Sequence, residues 1–323
     1  MSPIRVGVLR GGLSSEYEVS LETGKSVIAA LAEHPTYTPV DVFIDKAGDW
    51  HLHGTPIDPA DITVHVDVVF NALHGAYGED GRVQQILGAL KVPYTGSDVL
   101  GSALATHKAR AKELFKKEGI PVSPSAVFST ERGSERELRE IFRTISGPYV
   151  IKPVSGGLSV GVHLARSYPE LYEKVYGTAD PSVDVLIEQF ISGREATCSI
   201  VDGFRGEKHY ALLPVEIVPP LSSSFFDYDA KYSGASQEVC PGRFSHEETR
   251  TIQEYAKKAH AALGLRDYSR SDFVVTPRGV HILETNALPA LASESLLPKS
   301  LDAVGSGILE FLHHTISRAH ARR

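Results

Sequence analysis

Four polar residues near the carboxyl end of the sequence have types and spacing that predict a metal site beside an arginine: Arg270, Asp272, Glu284 and Asn286. Two apolar, β-branched runs flank a Pro/Gly turn between them, which predicts a β-hairpin. A pairing centred on Arg278 would place Asp272 opposite Glu284. It would also place Arg270 opposite Asn286, and all four side chains would project from one face, because neighbours along a strand alternate faces.

Such a face carries a specific chemistry. Two opposed carboxylates are unfavourable unless a cation lies between them. Two carboxylates and an amide oxygen are ligands that suit a hard ion such as magnesium. The alternative is a hairpin with a solvated charged face. It is disfavoured because the polar groups of Leu283–Asn286 stand at the end of an apolar strand, where sites tend to lie.

A second candidate site follows the first predicted strand, Arg5–Leu9, which ends in a Gly-Gly pair before a helix that begins near Glu16. A ligand can approach the backbone at such a helix N-terminus, and Ser15 and Glu18 have capping-box spacing. The Gly-x-Gly-x-x-Gly pattern of a dinucleotide site is absent, which disfavours an oxidoreductase. Glu16 is either a ligand-binding carboxylate or only a partner of the helix dipole.

His74 stands in a glycine-rich loop beyond the strand that ends at Asn71. Open α/β sheets bind ligands beyond the carboxyl ends of their strands. His74 is therefore a candidate site residue, and the alternative is an ordinary solvated loop histidine.

Lys152 ends an apolar strand and precedes a loop of small residues, 155–161. An ammonium and several backbone N–H groups in this arrangement can surround phosphate oxygens. The loop is not a Walker A motif, since no Gly-Lys-Ser/Thr ends it, and a plain flexible hairpin is the alternative. Further on, Glu188 and Glu195 flank a strand end, where their carboxylates could accept hydrogen bonds from an amino group or ribose hydroxyls.

Residues 222–234 show no clear periodicity, but they contain several aromatic side chains and Lys231. Long irregular segments inside compact domains are usually functional lids or disordered. The aromatic residues and the lysine favour a lid that closes on a ligand and excludes water.

The elements that would position these residues alternate between strands and helices at the start of the chain, which favours a parallel sheet. The predicted strands there are Arg5–Leu9, Thr38–Ile44, Val64–Asn71 and Val92–Thr95, and the predicted helices are Glu16–Glu33 and Gly81–Leu90. A later helix begins with Thr106 as its N-cap and continues through Lys117, and a final amphipathic helix covers Leu301–Arg318. The pattern divides the chain into three units, 1–104, 105–196 and 197–323.

Composition limits the classes of protein. The 323 residues, of which 42% are hydrophobic, suit a globular protein of two or three domains. No apolar run is long enough to cross a bilayer and no signal-peptide core is present, so a cytoplasmic location without membrane association is expected. The net charge of −7 argues against a nucleic-acid surface. Cys198 and Cys240 have neither metal-ligand nor disulfide-scaffold spacing.

Short motifs follow one another along nearly the whole chain: Gly11-Gly12, Ser15–Ser20, Leu73–Gly75, Gly78–Gly81, Pro93–Ser97, Lys108, Ile151–Pro153, Ser159–Gly161, Ile187-Glu188, Phe226–Tyr232, Arg270–Asp272 and Leu283–Asn286. In this order they resemble the D-alanine–D-alanine ligases of the ATP-grasp superfamily. The resemblance implies an α/β (α+β ATP-grasp) fold with an N-terminal Rossmann-like, parallel-sheet substrate domain and two ATP-grasp lobes. The second lobe would carry the lid and the metal site.

The resemblance also implies a role for each matching position. The residues implied to bind ATP are Lys108, Lys152, Glu188, Phe190, Ile191, Glu195 and Lys231, with the first two lysines on the phosphates. Two Mg²⁺ or Mn²⁺ ions would be held by Asp272, Glu284 and Asn286. The implied substrate residues are Glu16, His74, Arg270, Ser295 and Leu296, and the implied catalytic residues are Glu16, Arg270, Tyr232 and Ser295.

The implied reaction joins two D-alanines for peptidoglycan precursors. The γ-phosphoryl of ATP activates one carboxylate as an acyl phosphate, which the amine of the second amino acid attacks. The lid would keep water from this intermediate. A homodimer is implied as well.

Two positions depart from the family pattern. A serine normally stands at the place of Leu158, where it hydrogen-bonds with the glutamate and tyrosine that match Glu16 and Tyr232, and leucine cannot do this. A glycine normally stands at the place of Ala290, near the second substrate. The alternatives are a related ligase with another amino acid or a hydroxy acid as second substrate, or an ATP-binding protein without turnover. The complete set of metal ligands and Arg270 disfavour the latter.

Overall fold

In the amino-terminal sheet the first strand lies between two strands that run parallel to it. The computed structural model describes residues 2–156, 161–177, 183–219 and 236–322. Its first sheet has five strands in the order β4-β3-β2-β1-β5. They are β1 (Ile4–Gly11), β2 (Tyr37–Ile44), β3 (Trp50–Leu52), β4 (Thr55–Ile57) and β5 (Val68–Asn71). β1 pairs in parallel with both β2 and β5, so the parallel sheet expected here is confirmed.

The sequence prediction was wrong at two strands of this sheet. The strand expected from Val64 begins only at Val68, because Pro59–Val64 forms a 3₁₀ helix that Asp58 caps with its side chain. Val92–Thr95 is reduced to one bridge between Tyr94 and β5. The β3–β4 hairpin was not predicted, since its strands are too short to show a period.

Four helices accompany this part of the chain: α1 (Tyr17–Ala32), α2 (Arg82–Ala89), α3 (Val99–Thr106) and α4 (Lys108–Lys117). α1 and α2 agree with the prediction. Thr106 is not the N-cap that the sequence suggested, because it ends α3 and its hydroxyl donates to the carbonyl oxygen of Ser102. His107 is the N-cap of α4 instead, and its ring nitrogen accepts from the backbone of Arg110.

In the part of the chain that the structure describes, the second sheet has four antiparallel strands in the order β6-β9-β7-β8. They are β6 (Ser125–Phe128), β7 (Tyr149–Pro153), β8 (His163–Ala165) and β9 (Val185–Gln189). The helices α5 (Glu135–Thr144) and α6 (Tyr168–Gly177) share an apolar core with this sheet that includes Leu138, Ile151 and Leu171. The sheet presents Lys152 and Glu188 near the ends of its central strands.

Within the described ranges the third sheet has six strands, with β13-β12-β10-β14-β15 in order and β11 paired to β10. The strands are β10 (Arg194–Asp202), β11 (His209–Ala211), β12 (Val215–Val218), β13 (Gln237–Val239), β14 (Tyr268–Thr276) and β15 (Gly279–Asn286). A second 3₁₀ helix covers Phe204–Gly206. The helix α7 (His246–Ala262) buries Ile252 and Ala256 against Phe273 and Ile282 in the core of this sheet.

Two helices end the chain: α8 (Leu296–Ala303) and α9 (Ile308–His320). The single helix predicted over Leu301–Arg318 was wrong, because Gly305 adopts a φ of +70° that ends the first helix. Phe311 and Ile316 of α9 share a buried cluster with Val8 of β1. The end of the chain therefore packs against the amino-terminal sheet. No helix among the described residues is both long and apolar enough to cross a membrane.

Candidate active site

The β14–β15 hairpin has the register that the sequence predicted at its open end. Arg270 pairs with Asn286, and Asp272 pairs with Glu284. The turn itself contains only two residues, which alone would shift the pairing by one. A bulge between Asp272 and Phe273 leaves Leu283 as the extra residue of β15 and restores the opposition of the two carboxylates.

The polar groups of this hairpin are already oriented by hydrogen bonds. Asp272 Oδ1 accepts from the hydroxyl of Thr197 at 2.7 Å and from Arg270 Nε at 3.0 Å. Arg270 Nη2 reaches the other oxygen at 3.2 Å, so the guanidinium lies along the carboxylate in two contacts. Asn286 Oδ1 accepts from the backbone of Leu288 at 2.8 Å, which fixes the amide and leaves its oxygen one further lone pair.

These residues fit a hard divalent cation. Asp272, Glu284 and Asn286 offer only oxygen donors on one face, and Thr197 supplies an outer hydrogen bond to the first of them. Glu195 belongs to the same face, since it alternates with Thr197 along β10 and lies opposite Val274.

Buried lysines face this hairpin from the second sheet and from α4. Lys108 begins α4, and its Nζ donates to the carbonyl oxygen of Gly156 in the loop after β7. Burial lowers the pKa of Lys108, and the charge of Glu284 partly offsets this effect. Lys152 of β7 lies 2.7 Å from Glu188 Oε1. Burial acts to lower the pKa of Lys152 too, but Glu188 and Glu284 outweigh it and the pKa is raised.

Glu188 is the centre of a buried ion cluster. Its second oxygen contacts Lys112 Nζ and accepts from the hydroxyl of Ser123 at 3.0 Å. Burial acts to raise the pKa of Glu188, yet Lys152 and Lys112 overcome it and lower the pKa to about 2. The carboxylate is therefore ionised at every physiological pH.

Glu16, His74 and Glu79 form a third part of the site. Their ligand atoms lie within 4.8 Å of one another. His74 is buried; its Nδ1 lies 3.3 Å from Glu79 Oε1 and its Nε2 lies 2.9 Å from the hydroxyl of Thr23. The solvated loop histidine is thus excluded.

Glu16 is the N-cap residue of α1, but its side chain makes no capping hydrogen bond. The capping box expected from Ser15 and Glu18 was wrong, because Ser14 accepts from the backbone of Glu16 and donates to His74 O. Burial and the nearby charge of Glu79 raise the pKa of Glu16 to about 8.

The three parts belong to one site, because their charges act on one another. Lys108 and Arg270 oppose the rise in the pKa of Glu16, whereas Glu284 adds to it. The loop after the hairpin also reaches the first sheet, since the backbone N–H of Leu291 donates to the hydroxyl of Thr23. A polyanion beside the lysines and a zwitterion beside Glu16 and Arg270 would fit this distribution of charge.

The sequence is similar to known proteins over nearly its whole length. The profile of the D-ala D-ala ligase N-terminus matches residues 5–63 and 54–97, and that of the D-ala D-ala ligase C-terminus matches residues 114–317. A D-alanine–D-alanine ligase of Geotalea uraniireducens is 39% identical over 319 residues, covering 98% of this chain and 95% of that protein. The chain belongs to the D-alanine–D-alanine ligase family. It is an ATP-dependent ligase with the ATP-grasp fold, as the sequence predicted.

Solved structures of the family superpose on this ligase. The D-alanine–D-alanine ligase of Bacillus anthracis complexed with ATP has a TM-score of 0.80 and 31% identity, covering 100% of this chain and 98% of that one. The VanG D-Ala:D-Ser ligase of Enterococcus faecalis has a TM-score of 0.85 and 28% identity, covering 98% and 99%.

A cavity of about 560 Å³ lies between the residues that follow β9 and the turn of the β14–β15 hairpin. It is lined by Phe190 and Ile191, for which the resemblance implied nucleotide binding, together with Pro124, Gln189, Ser192, Thr276, Pro277, Arg278 and His281. The backbone N–H of Phe190 donates to the carbonyl oxygen of Pro148. This hydrogen bond fixes the backbone of Phe190 at the edge of the cavity.

Two predicted site residues stand at the start of α8, and three positions named from the resemblance lie outside the described residues. Ser295 is the N-cap of α8 and Leu296 is its first residue, both half-buried. Leu158, Lys231 and Tyr232 fall outside the described residues.

Lys112, Glu79 and Thr197 were missed from the sequence. The signal for Lys112 was its position one helical turn after Lys108 on the buried side of α4. Thr197 gave a weaker signal, namely a hydroxyl on the same strand face as Glu195.

Proposed function

We propose that this ligase joins two D-alanines to D-alanyl-D-alanine, with ATP converted to ADP, for peptidoglycan precursor synthesis. The observation that carries the proposal is the convergence of three groups: the oxygen ligands of the β14–β15 hairpin, the buried lysines, and Glu16 with His74. The oxygen ligands suit the metal ions, and the lysines suit the phosphates of ATP. Glu16 and His74 suit the ammonium group of an amino acid.

Nucleotide binding is assigned to the second sheet and its neighbours. Lys108 and Lys152 would contact the phosphates, and Lys231 of the lid would add a further cation. Glu188, Glu195, Phe190 and Ile191 would hold the adenosine at the cavity end of the site.

The hairpin is assigned to two Mg²⁺ or Mn²⁺ ions, held by Asp272, Glu284 and Asn286. When bound, such ions neutralise phosphate oxygens and favour transfer of the γ-phosphoryl group. The contribution of the protein is to hold the three oxygen ligands on one face, with Thr197 fixing Asp272.

Glu16 and His74 would bind the ammonium end of the first D-alanine. Glu16 has a raised pKa because it is buried beside Glu79, so an arriving ammonium would supply the missing counter-charge. This attraction would orient the carboxylate of the amino acid toward Arg270 and the phosphates.

Arg270 would stabilise the oxyanion that develops when the second amine attacks the acyl phosphate. Its two contacts with Asp272 restrict the motion of the guanidinium. Ser295 and Leu296 would contact the second substrate, and Tyr232 would help the lid to exclude water.

A different second substrate is not favoured. The D-alanine–D-alanine ligase of Geotalea uraniireducens is 39% identical to this chain, whereas the VanG D-Ala:D-Ser ligase is 28% identical to it. Leu158 and Ala290 are then tolerated variations.

A homodimer, a cytoplasmic location and domains at 1–104, 105–196 and 197–323 remain predictions.

The experiment measures ADP release with Mg-ATP across D- and L-amino acids and D-lactate, with mass spectrometry of the products. We expect D-alanine alone to give the dipeptide. Preference for another pair would contradict the proposed second substrate, and ATP binding without turnover in the whole panel would contradict the proposed reaction.

A further inference from the structure

Lys112 is a buried cation for which the reaction as proposed has no use. It lies on α4 with only 2% of its surface exposed. Its Nζ contacts Glu188 Oε2 and donates to the hydroxyl and carbonyl oxygens of Ser123. The Ser123 hydroxyl donates in turn to the same carboxylate oxygen. Lys112 and Ser123 therefore hold one side of Glu188 together.

Lys152 contacts the other oxygen of the same carboxylate, but Glu188 is not the only negative charge that attracts it. Lys152 and Glu188 project from one face of the second sheet, because Glu188 pairs with Val150 and side chains alternate along each strand. The negative charges of Glu284 and Asp272 also act on Lys152. Lys152 thus contacts Glu188 and is also attracted by the carboxylates of the β14–β15 hairpin.

The charges of this cluster are unequal. Two ammonium groups and one carboxylate are buried together, so one lysine can leave without depriving Glu188 of a counter-ion. A buried carboxylate that loses its counter-charges tends to become protonated. If Lys152 were the sole partner of Glu188, its attraction to a polyphosphate would leave the carboxylate unpaired.

We propose that Lys112 is a positioning residue that keeps Glu188 ionised and fixed while Lys152 exchanges Glu188 for the nucleotide phosphates. This inference rests on the proposed function, which assigns Glu188 to adenosine and Lys152 to phosphate. Because Oε2 is held by Lys112 and Ser123, Oε1 is the oxygen that becomes available when Lys152 leaves. An oxygen in this position accepts a hydrogen bond from the 6-amino group of adenine.

Lys112→Met tests the proposal, with Lys116→Met as the matched control on the exposed side of the same helix. We expect the KM for ATP of Lys112→Met to rise roughly 10- to 100-fold, the range of a charge-assisted hydrogen bond. The kcat and the KM for D-alanine should change much less, and the control should match the unmodified ligase.

The choice of base and the pH profile separate positioning from a merely structural role. The preference for ATP over ITP should fall in Lys112→Met, since the 6-carbonyl of hypoxanthine cannot donate to Glu188. The affinity of the variant for ATP should weaken as the pH falls, because Glu188 has lost one cation and its pKa rises. The unmodified ligase should show no such dependence near neutral pH.

ATP affinity is also measured by calorimetry without D-alanine, so this test does not depend on dipeptide synthesis. Ser123→Ala is the second variant if Lys112→Met does not fold, and it should raise the KM for ATP in the same direction by less. An unchanged affinity for ATP in Lys112→Met, or an equal loss in kcat and in both KM values, would overturn the proposal. An unmodified ligase that binds ATP but makes no dipeptide would instead contradict the proposed function alone.

Discussion

A carboxylate oxygen of Glu16 lies within 4.8 Å of one of Glu79, and both residues enclose His74. Two acids this close in a buried pocket cannot easily carry full charge together. Burial and Glu79 accordingly raise the pKa of Glu16 to about 8 in the free ligase.

This pKa predicts how D-alanine binding depends on pH. A carboxyl group is neutral below its pKa, so Glu16 of the free ligase is mostly protonated at pH 7 and attracts an ammonium weakly. We expect kcat/KM for the first D-alanine to rise by about tenfold per pH unit toward pH 8 and then to level off. A profile that is flat between pH 6 and 8 would contradict this role of Glu16.

Glu79→Gln provides the matched variant. It removes the neighbouring charge but keeps an oxygen that can accept from His74. The pKa of Glu16 should fall, and the inflection of the same profile should move to lower pH.

Glu284→Gln should abolish ADP formation while the protein remains folded. The amide keeps the shape of the side chain but removes a charge opposite Asp272, so the loss in kcat should be roughly 10²- to 10³-fold or greater. Turnover is measured by ADP release and folding by thermal unfolding. Glu254→Gln, on the exposed face of α7, is the control, and near-normal turnover of Glu284→Gln would refute the metal-site assignment.

Thr197→Val should weaken activation by Mg²⁺ or Mn²⁺ about 10- to 100-fold, with little change in kcat at saturating metal. The hydroxyl of Thr197 donates to Asp272 Oδ1 at 2.7 Å, so we expect it to act on the metal through this carboxylate. Thr285→Val is the control, since Thr285 is equally buried but bonds to Ser271 on the other face of the hairpin. The metal concentration for half-maximal activity is measured for both variants. Equal values for Thr197→Val and Thr285→Val would argue against a role for Thr197 in metal binding.

Glu188→Gln should destabilise the protein by about 3–5 kcal/mol, because Lys112 and Lys152 would remain buried without their shared anion. The pKa of Glu188 is lowered to about 2 in the folded state, so its stabilising contribution is present above the ordinary pKa of a glutamate and is lost as the pH falls toward 2. Urea unfolding between pH 3 and 7 measures both effects. The difference between the two proteins should shrink toward acid pH, and a constant difference would contradict the assignment.

The hairpin shows how far a local pattern can be followed. The alternation of its residues and its turn were sufficient to predict which four side chains share a face. The bulge at Leu283 could not be predicted, because the alternation of residue types along the strand does not mark it. The correct pairing at Asp272 and Glu284 thus results from a turn and a bulge that compensate for each other.

The sequence by itself determined the family, most of the strands and helices, and the residue types at the positions proposed for metal, phosphate and ammonium binding. These features follow from motifs, periodicity and charge, which are local properties of the chain. The tertiary structure alone decided that Lys112, Lys152 and Glu188 form one buried cluster and that Glu79 shares the pocket of Glu16. The physical reason is that burial and Coulomb interactions depend on distances between side chains from different elements, and these distances exist only once the sheets and helices have packed.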